Sequence, residues 1–255
     1  MGAAQHEESL KTMINEPHCI VSDDFQNAWL EAVRHLVTTH WEFSNLVVHI
    51  KNPGVLDQTF HDRLEAFAKA QRILGPKHVA YTIFPHGLYA RKGAAEVLFQ
   101  TYNRHNGLYE RLHHRKPGWG TYFRRMTNYQ GRDKPVNQLD RIIAAIRDRT
   151  NLSKAAYTIL IQNPGGETVR PRGGPCLNYI TVQAEPGPPP SMGLLAVYRN
   201  HDFLERAYGN YWGLCNLLLF LAKETGGTPG PLTCVSSHAY VAGSKTALKQ
   251  LVEGF

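Results

Sequence analysis

The chain has 255 residues, 42% of them hydrophobic and 19% charged, with ten Phe, twelve Tyr and four Trp; this excludes an extensively disordered protein and suffices for one large core. Lys and Arg outnumber Asp and Glu by 28 to 21, a net charge of +7 that favours anionic partners such as nucleotides, folates or nucleic acid, or simply marks a basic soluble surface. Cys19, Cys176, Cys215 and Cys234 have no Cys-x-x-Cys spacing, no early apolar run reads as a signal peptide, and the longest apolar stretch, Leu214 to Ala222, is broken by Asn216 and far short of a membrane span; reduced thiols and a cytoplasmic location are expected.

Residues 1–22 mix charge, Pro17 and short polar runs without a sustained period, and read as a flexible arm ahead of a single domain over 23–255. Asp23 and Asp24 then offer an N-cap before Phe25, Trp29, Val33, Leu36 and Val37, an amphipathic helical series. Leu46 to Lys51 reads as a strand ending at the turn Asn52-Pro53-Gly54, and a second helix runs through Phe60, Leu64, Phe67 and Ile73 to Gly75-Pro76. Val79 to Phe84 reads as a short strand before Pro85, and Ala94 to Leu112 as a helix.

His113 to Arg125 is the most basic stretch and interleaves Trp119, Tyr122 and Phe123, a composition that suits either a phosphate or base contact or a solvated loop with aromatic anchors. Leu139 to Arg149 reads as a helix with Ile142, Ile143 and Ile146 inward. Tyr157 to Gln162 and Leu177 to Ala184 read as strands separated by a Gly- and Pro-rich loop, Tyr211 to Lys223 as an aromatic and Leu-rich helix, and Ser244 to Val252 as a last short helix.

A cysteine at a strand edge after Gly173-Gly174-Pro175 is by itself more often a small buried hydrophobe than a nucleophile. The order of the polar residues downstream changes the odds: Pro175-Cys176, then Tyr198-Arg199-Asn200-His201-Asp202, then Asn210, then Ser237-His238-Ala239-Tyr240. This order and spacing resemble the thymidylate synthase pattern of Pro-Cys-His, Gln-Arg-Ser-x-Asp, a downstream Asn, and His-x-Tyr. The resemblance implies an α+β fold, a large mixed sheet with helices packed on one face, and a homodimer paired through the other face.

It also implies a chemistry. Cys176 is expected to add as a thiolate to C6 of a pyrimidine nucleoside monophosphate, making C5 nucleophilic toward a one-carbon donor, 5,10-methylenetetrahydrofolate in the family. Arg199 is the implied phosphate ligand and is expected to help lower the thiol's pKa. Asn210 matches the residue that bonds the base edge and leans towards uracil. His238 and Tyr240 match the pair on the ribose hydroxyl, Asp202 the carboxylate near pterin and base, Asn200 stands where the family has Ser beside the phosphate, and Tyr122 is the candidate for the tyrosine bordering C5.

Several positions depart from the pattern. Leu177 replaces the histidine after the cysteine, the partner-lent arginine pair falls near Ser153-Lys154 with only Lys154 basic, Glu96 and Glu110 are the nearest candidates for the proton-relaying glutamate, and the sequence reaches Phe255 without the folate-closing tail. Two readings therefore stand: a pyrimidine C5 methyl- or hydroxymethyltransferase, or a catalytically silent homologue that binds a nucleotide or a protein partner. Nucleic-acid binding through Arg104 to Arg125 ranks below both, and no membrane or metal contact is expected.

Overall fold

A computed structural model describes residues 16–112, 120–148, 157–165, 167 and 173–255, with the backbone alone for 107–112. Its architecture is α+β. The strands are β1 (His18–Ser22), β2 (Glu42–Ile50), β3 (Tyr157–Leu160), β4 (Leu177–Glu185), β5 (Ser191–Tyr198), β6 (His201–Asp202) and β7 (Thr228–Tyr240). They form one mixed sheet in the order β1-β2-β7-β5-β4-β3, with β6 pairing to β7. β1 runs parallel to β2 and β5 parallel to β7, while β2 and β7, β5 and β4, and β4 and β3 are antiparallel.

The helices among the described residues are α1 (Phe25–Thr38), α2 (Gln58–Gln71), α3 (Pro76–Ile83), α4 (His86–Lys92), α5 (Ala95–Leu112), α6 (Tyr122–Thr127), α7 (Gln138–Asp148), α8 (Ala207–Thr225) and α9 (Lys245–Glu253). The expected cap of α1 is Asp24, whose carboxylate accepts from the backbone N–H groups of Gln26 and Asn27. Phe25, Trp29, Val33 and Leu36 form its buried face. α8 is buried on nearly every side, because it lies between strands β5 and β7 and the helices α1, α3 and α7.

Strand alternation separates the two faces of the sheet. Leu46, Val48, Ile180, Leu194, Ala196, Leu232 and Cys234 are buried, beneath α1 over β1 and β2 and α8 over β5 and β7. The intervening Val47, Leu195, Val197 and Val235 are only half-buried, and Val21, Leu160 and Tyr179 are exposed.

Two expectations are corrected here. Val79 to Ile83 lies in a helix, not a strand, with Phe84 the extended residue that ends it: Pro76 occupies its first turn, where a missing N–H costs nothing, and Val79, Ala80 and Ile83 are buried at helical spacing. Neighbouring α8 enforces this, since a Cβ on Gly209 would stand 2.6 Å from Val79 Cβ and one on Gly213 2.9 Å from the Ala80 carbonyl oxygen. The end of the expected arm over 1–22 is instead ordered: His18–Ser22 is strand β1 at the sheet edge, held by parallel pairing to Leu46–Ile50, while residues 1–15 lie outside the described part. No helix among the described residues is long and apolar enough to cross a membrane.

Candidate functional site

The site forms where β5 ends. Tyr198 pairs with Ser236 and His201 with Ala239, three residues later on both strands, so the ladder breaks at Arg199 and Asn200 and resumes in register. That break turns Arg199 and Asn200 out of the sheet beside the loop that carries Cys176. Immediately afterwards Asp202 leads into α8, bringing Asn210 alongside. A cavity of about 320 Å³ opens there, and its wall includes six of the eight residues singled out from sequence: Tyr122, Cys176, Asn200, Asp202, Asn210 and Tyr240.

Gly173 and Gly174 both adopt positive φ, 82° and 72°, a conformation that favours glycine and turns the loop into Pro175-Cys176. Arg199 braces that loop: its Nε donates to the Pro175 carbonyl at 3.1 Å and its Nη2 to the Gly173 carbonyl at 2.7 Å. The Arg199 backbone N–H donates to the Cys176 carbonyl at 2.9 Å. Tyr122 opens α6 behind the Thr121 cap, and its hydroxyl accepts from the backbone N–H groups of Cys176 and Leu177 at 3.3 and 3.5 Å. Burial, reinforced by the nearby Cys176, pushes the Tyr122 phenol up to about 12.

The lowered thiol pKa expected of Cys176 is not what the site produces. Burial pushes the Cys176 thiol above its ordinary value and outweighs the downward pull of Arg199 and Arg206, while Asp202 adds a smaller upward push. Arg199 thus acts in the expected direction but loses to desolvation. Asp202 is itself buried, its carboxylate accepting from the Leu204 and Ala242 N–H groups at 2.9 and 3.3 Å, and burial raises its pKa despite those donors.

Asn200, His238 and Tyr240 form one cluster. His238 Nδ1 and Asn200 Oδ1 lie 2.7 Å apart, the His238 and Tyr240 rings stack with centroids 5.2 Å apart, and Tyr240 shares a side-chain hydrogen bond with Asn200. His238 itself does not line the cavity; its side chain is half-exposed, with Nε2 3.5 Å from a Glu42 carboxylate oxygen.

Asn210, 3% exposed, points its Nδ2 at His201 Nε2 at 3.1 Å. His201 is 1% exposed, its ring stacked on Tyr198 at 4.1 Å and its Nδ1 2.9 Å from Ser236 Oγ. Burial lowers the His201 pKa to about 3, so the ring is neutral at ordinary pH.

Sequence reasoning missed His201, Glu205 and Arg206, all on the cavity wall, together with Val79 and Thr82 from α3. His201 stood inside the motif at its unspecified position, and nothing in the spacing set it apart from the residues on either side. Glu205 and Arg206 carried no spacing signal, because only the entry into α8 aims them at the cavity. Of the glutamates expected to relay a proton, Glu96 is exposed on α5 and accepts from Gln100 at 3.0 Å, away from the cavity, and Glu205 is the glutamate on its wall. The side chain of Glu110, Lys154, and the His113 to Trp119 part of the basic stretch His113 to Arg125 lie outside the described residues. Among the described residues no three His, Cys, Asp or Glu side chains cluster as metal ligands.

No protein-family model matches the chain. It is similar to two curated proteins that carry the name "Putative thymidylate synthase", at 27% identity over 121 residues for one from Methanosarcina barkeri and 28% over 123 residues for one from Methanosarcina mazei. Each match covers 48% of this chain and 52% of the relative, so the chain spans about half the length of the curated relatives it matches.

Proposed function

We propose that the chain is a pyrimidine nucleotide C5-modifying transferase of the thymidylate synthase kind, transferring a methyl or hydroxymethyl unit. The observation that carries this reading is the convergence of Cys176, Tyr122, Asp202, Asn210 and Tyr240, from four separate stretches of chain, on one cavity about 320 Å³ in volume. That volume is at the lower end of the range for small-ligand sites.

In the reaction Cys176 Sγ adds as a thiolate to C6 of the ring, and the electrons of the C5–C6 double bond move towards C5 and the C4 carbonyl. C5 then bonds the one-carbon unit and H5 departs as a proton. The electrons of the C5–H bond form a double bond to the transferred carbon as the donor's amine leaves with the C–N pair. Water for a hydroxymethyl product, or a hydride from the reduced donor for a methyl product, then adds to that carbon, restoring the C5–C6 double bond and expelling the thiolate. Because burial keeps Cys176 protonated in the free protein, its proton must leave when substrate arrives. Glu205 and Asp202 are the wall carboxylates suited to receive it, and Arg199 and Arg206 stabilise the thiolate that results.

Arg199 and Arg206 are the cations we assign to the 5′-phosphate, and the Asn200, His238 and Tyr240 cluster to the ribose hydroxyl. For a folate donor the fit rests on Asp202, a buried carboxylate beside the cavity that suits the amidine edge of a pterin. When bound, 5,10-methylenetetrahydrofolate supplies the one-carbon unit. We further propose that the half-buried sheet face bearing Val47, Leu195, Val197 and Val235 pairs with a second copy. Sedimentation of a Val197→Asp variant as monomer, against a wild-type dimer, is the expected result, and a monomeric wild type refutes it.

The catalytic reading is tested with uridine and cytidine monophosphates, ribo and deoxy, tritiated at C5. Release of tritium by wild type and its loss in Cys176→Ser is expected. No release from any of them, with the Cys176→Ser variant indistinguishable, refutes catalysis.

A silent homologue that binds a nucleotide or partner is the second reading. It is favoured by two observations, the raised Cys176 pKa and the commitment of the Arg199 guanidinium to two loop carbonyls. Intact mass spectrometry after treatment with 5-fluorodeoxyuridine monophosphate separates the two, since a covalent adduct requires a working nucleophile.

A further inference from the structure

The amide of Asn210 can read a pyrimidine only through the groups it keeps for the cavity, and those depend on what its other end does. Its Nδ2 lies 3.1 Å from His201 Nε2. An amide nitrogen is a donor only, so His201 Nε2 must accept, which puts the proton of the neutral ring on Nδ1. Nδ1–H then donates to Ser236 Oγ, 2.9 Å away. Ser236 in turn hydrogen-bonds the Cys234 sulfur. The result is a one-way chain of donors, Asn210 to His201 to Ser236 to Cys234, whose members are at most 3% exposed.

We infer that His201 is a positioning residue which, through this chain, holds the Asn210 amide with a hydrogen directed at the ring and its oxygen left for the cavity, so that the site accepts uracil in preference to cytosine. The inference rests on the pyrimidine-binding reading given above. Uracil offers a donor at N3 and an acceptor at O4, matching an amide oxygen and the remaining amide N–H. Cytosine offers the reverse, an acceptor at N3 and a donor at N4. Serving it requires the amide to turn over, which sets Asn210 Oδ1 against the Nε2 lone pair.

The turn is relieved only if His201 also moves its proton from Nδ1 to Nε2 and Ser236 redirects its hydroxyl to Nδ1. Base choice and the His201 tautomer are therefore one coupled setting. Tyr198, stacked on the ring with an interplanar angle of 3°, and Tyr211, edge-on at 5.6 Å, hold the imidazole in the plane that keeps both nitrogens in line.

Two measurements test this. Nitrogen-15 NMR of histidine-labelled protein reads the tautomer directly: a protonated Nδ1 with a bare Nε2 on His201 is expected, and a protonated Nε2 overturns the inference whether or not a nucleotide binds. The second is calorimetric binding of deoxyuridine and deoxycytidine monophosphates to wild type, His201→Phe and Ser236→Ala. His201→Phe keeps the stacking ring and loses both hydrogen bonds, and Ser236→Ala is the milder change should the first fail to fold.

Wild type is expected to favour the uracil nucleotide by about tenfold or more, the cost of one mismatched buried polar group. Both variants are expected to lose most of that preference while binding the better nucleotide within a few-fold of wild type. A folded variant with the wild-type ratio overturns the role of His201 and leaves pyrimidine binding standing. A wild type that binds neither nucleotide overturns the binding reading and this inference with it.

Discussion

His201 makes the fold acid-sensitive in a way that can be calculated. In the unfolded chain its imidazole titrates near the ordinary 6.5, whereas burial lowers it to about 3 in the fold. Between those values the unfolded chain binds a proton that the folded chain refuses, so stability is complete above pH 6.5 and is lost as pH falls towards 3. At roughly 1.4 kcal/mol per pH unit, acidification from pH 7.5 to 5 costs about 2 kcal/mol through this one ring. That is a large share of the ~5–15 kcal/mol that holds an ordinary domain together.

The assay is urea denaturation of wild type and His201→Phe at both pH values. The variant loses two hydrogen bonds and is expected to be the less stable protein at pH 7.5, with the gap narrowing by about 2 kcal/mol at pH 5. His35 and His61 are also lowered, chiefly by burial, but both remain in the variant and cancel in the double difference. An equal acid loss in the two proteins would show that His201 takes up a proton in the fold, and would refute the claim that it is buried neutral between Asn210 and Ser236.

Alkylation of Cys176 by iodoacetamide is expected to be slow at neutral pH, to rise through a pKa above that of an ordinary thiol, and to slow further in Arg199→Gln, since Arg199 pulls that pKa down; rapid labelling at pH 7 counts against the burial argument. Cys215 and Cys234 are fully buried and are expected to stay unlabelled until the chain unfolds. Gly209→Ala puts a Cβ 2.6 Å from Val79 Cβ and 2.8 Å from the Pro76 carbonyl oxygen, an overpacking worth about 1–3 kcal/mol. It also displaces the Val79 and Thr82 wall, so nucleotide affinity and melting temperature should fall together, whereas Gly87→Ala, with no atom within 4 Å, should leave both intact. If Asn210 faces the base as proposed, Asn210→Asp puts an acceptor-only group there and is expected to shift binding towards cytidine monophosphate by roughly tenfold; an unchanged ratio means that Asn210 does not face the base.

Sequence by itself determined the local elements whose cause is local. Asp24 caps α1 because a carboxylate before an amphipathic run satisfies the first free N–H groups, and that can be read without neighbours. The strands β2 and β4 and the apolar surface of α8 were legible for the same reason. So was the order of polar residues from Cys176 to Tyr240, which, with Tyr122, meet at or beside one cavity.

Tertiary structure alone decided the rest. The β-branched Val79 and its neighbours form a helix because Gly209 and Gly213 on α8 leave a groove that only a helix at that distance fills. Arg199 was read for its charge, yet whether that charge lowers the Cys176 pKa depends on how deeply the thiol is buried, a property of packing from distant segments. His201 looked like a variable residue between two functional ones. Its partners, Ser236 and Asn210, lie 35 and 9 residues away, and a buried hydrogen-bond chain of that kind exists only once β6, β7 and α8 have come together, because its donors and acceptors are supplied by separate elements.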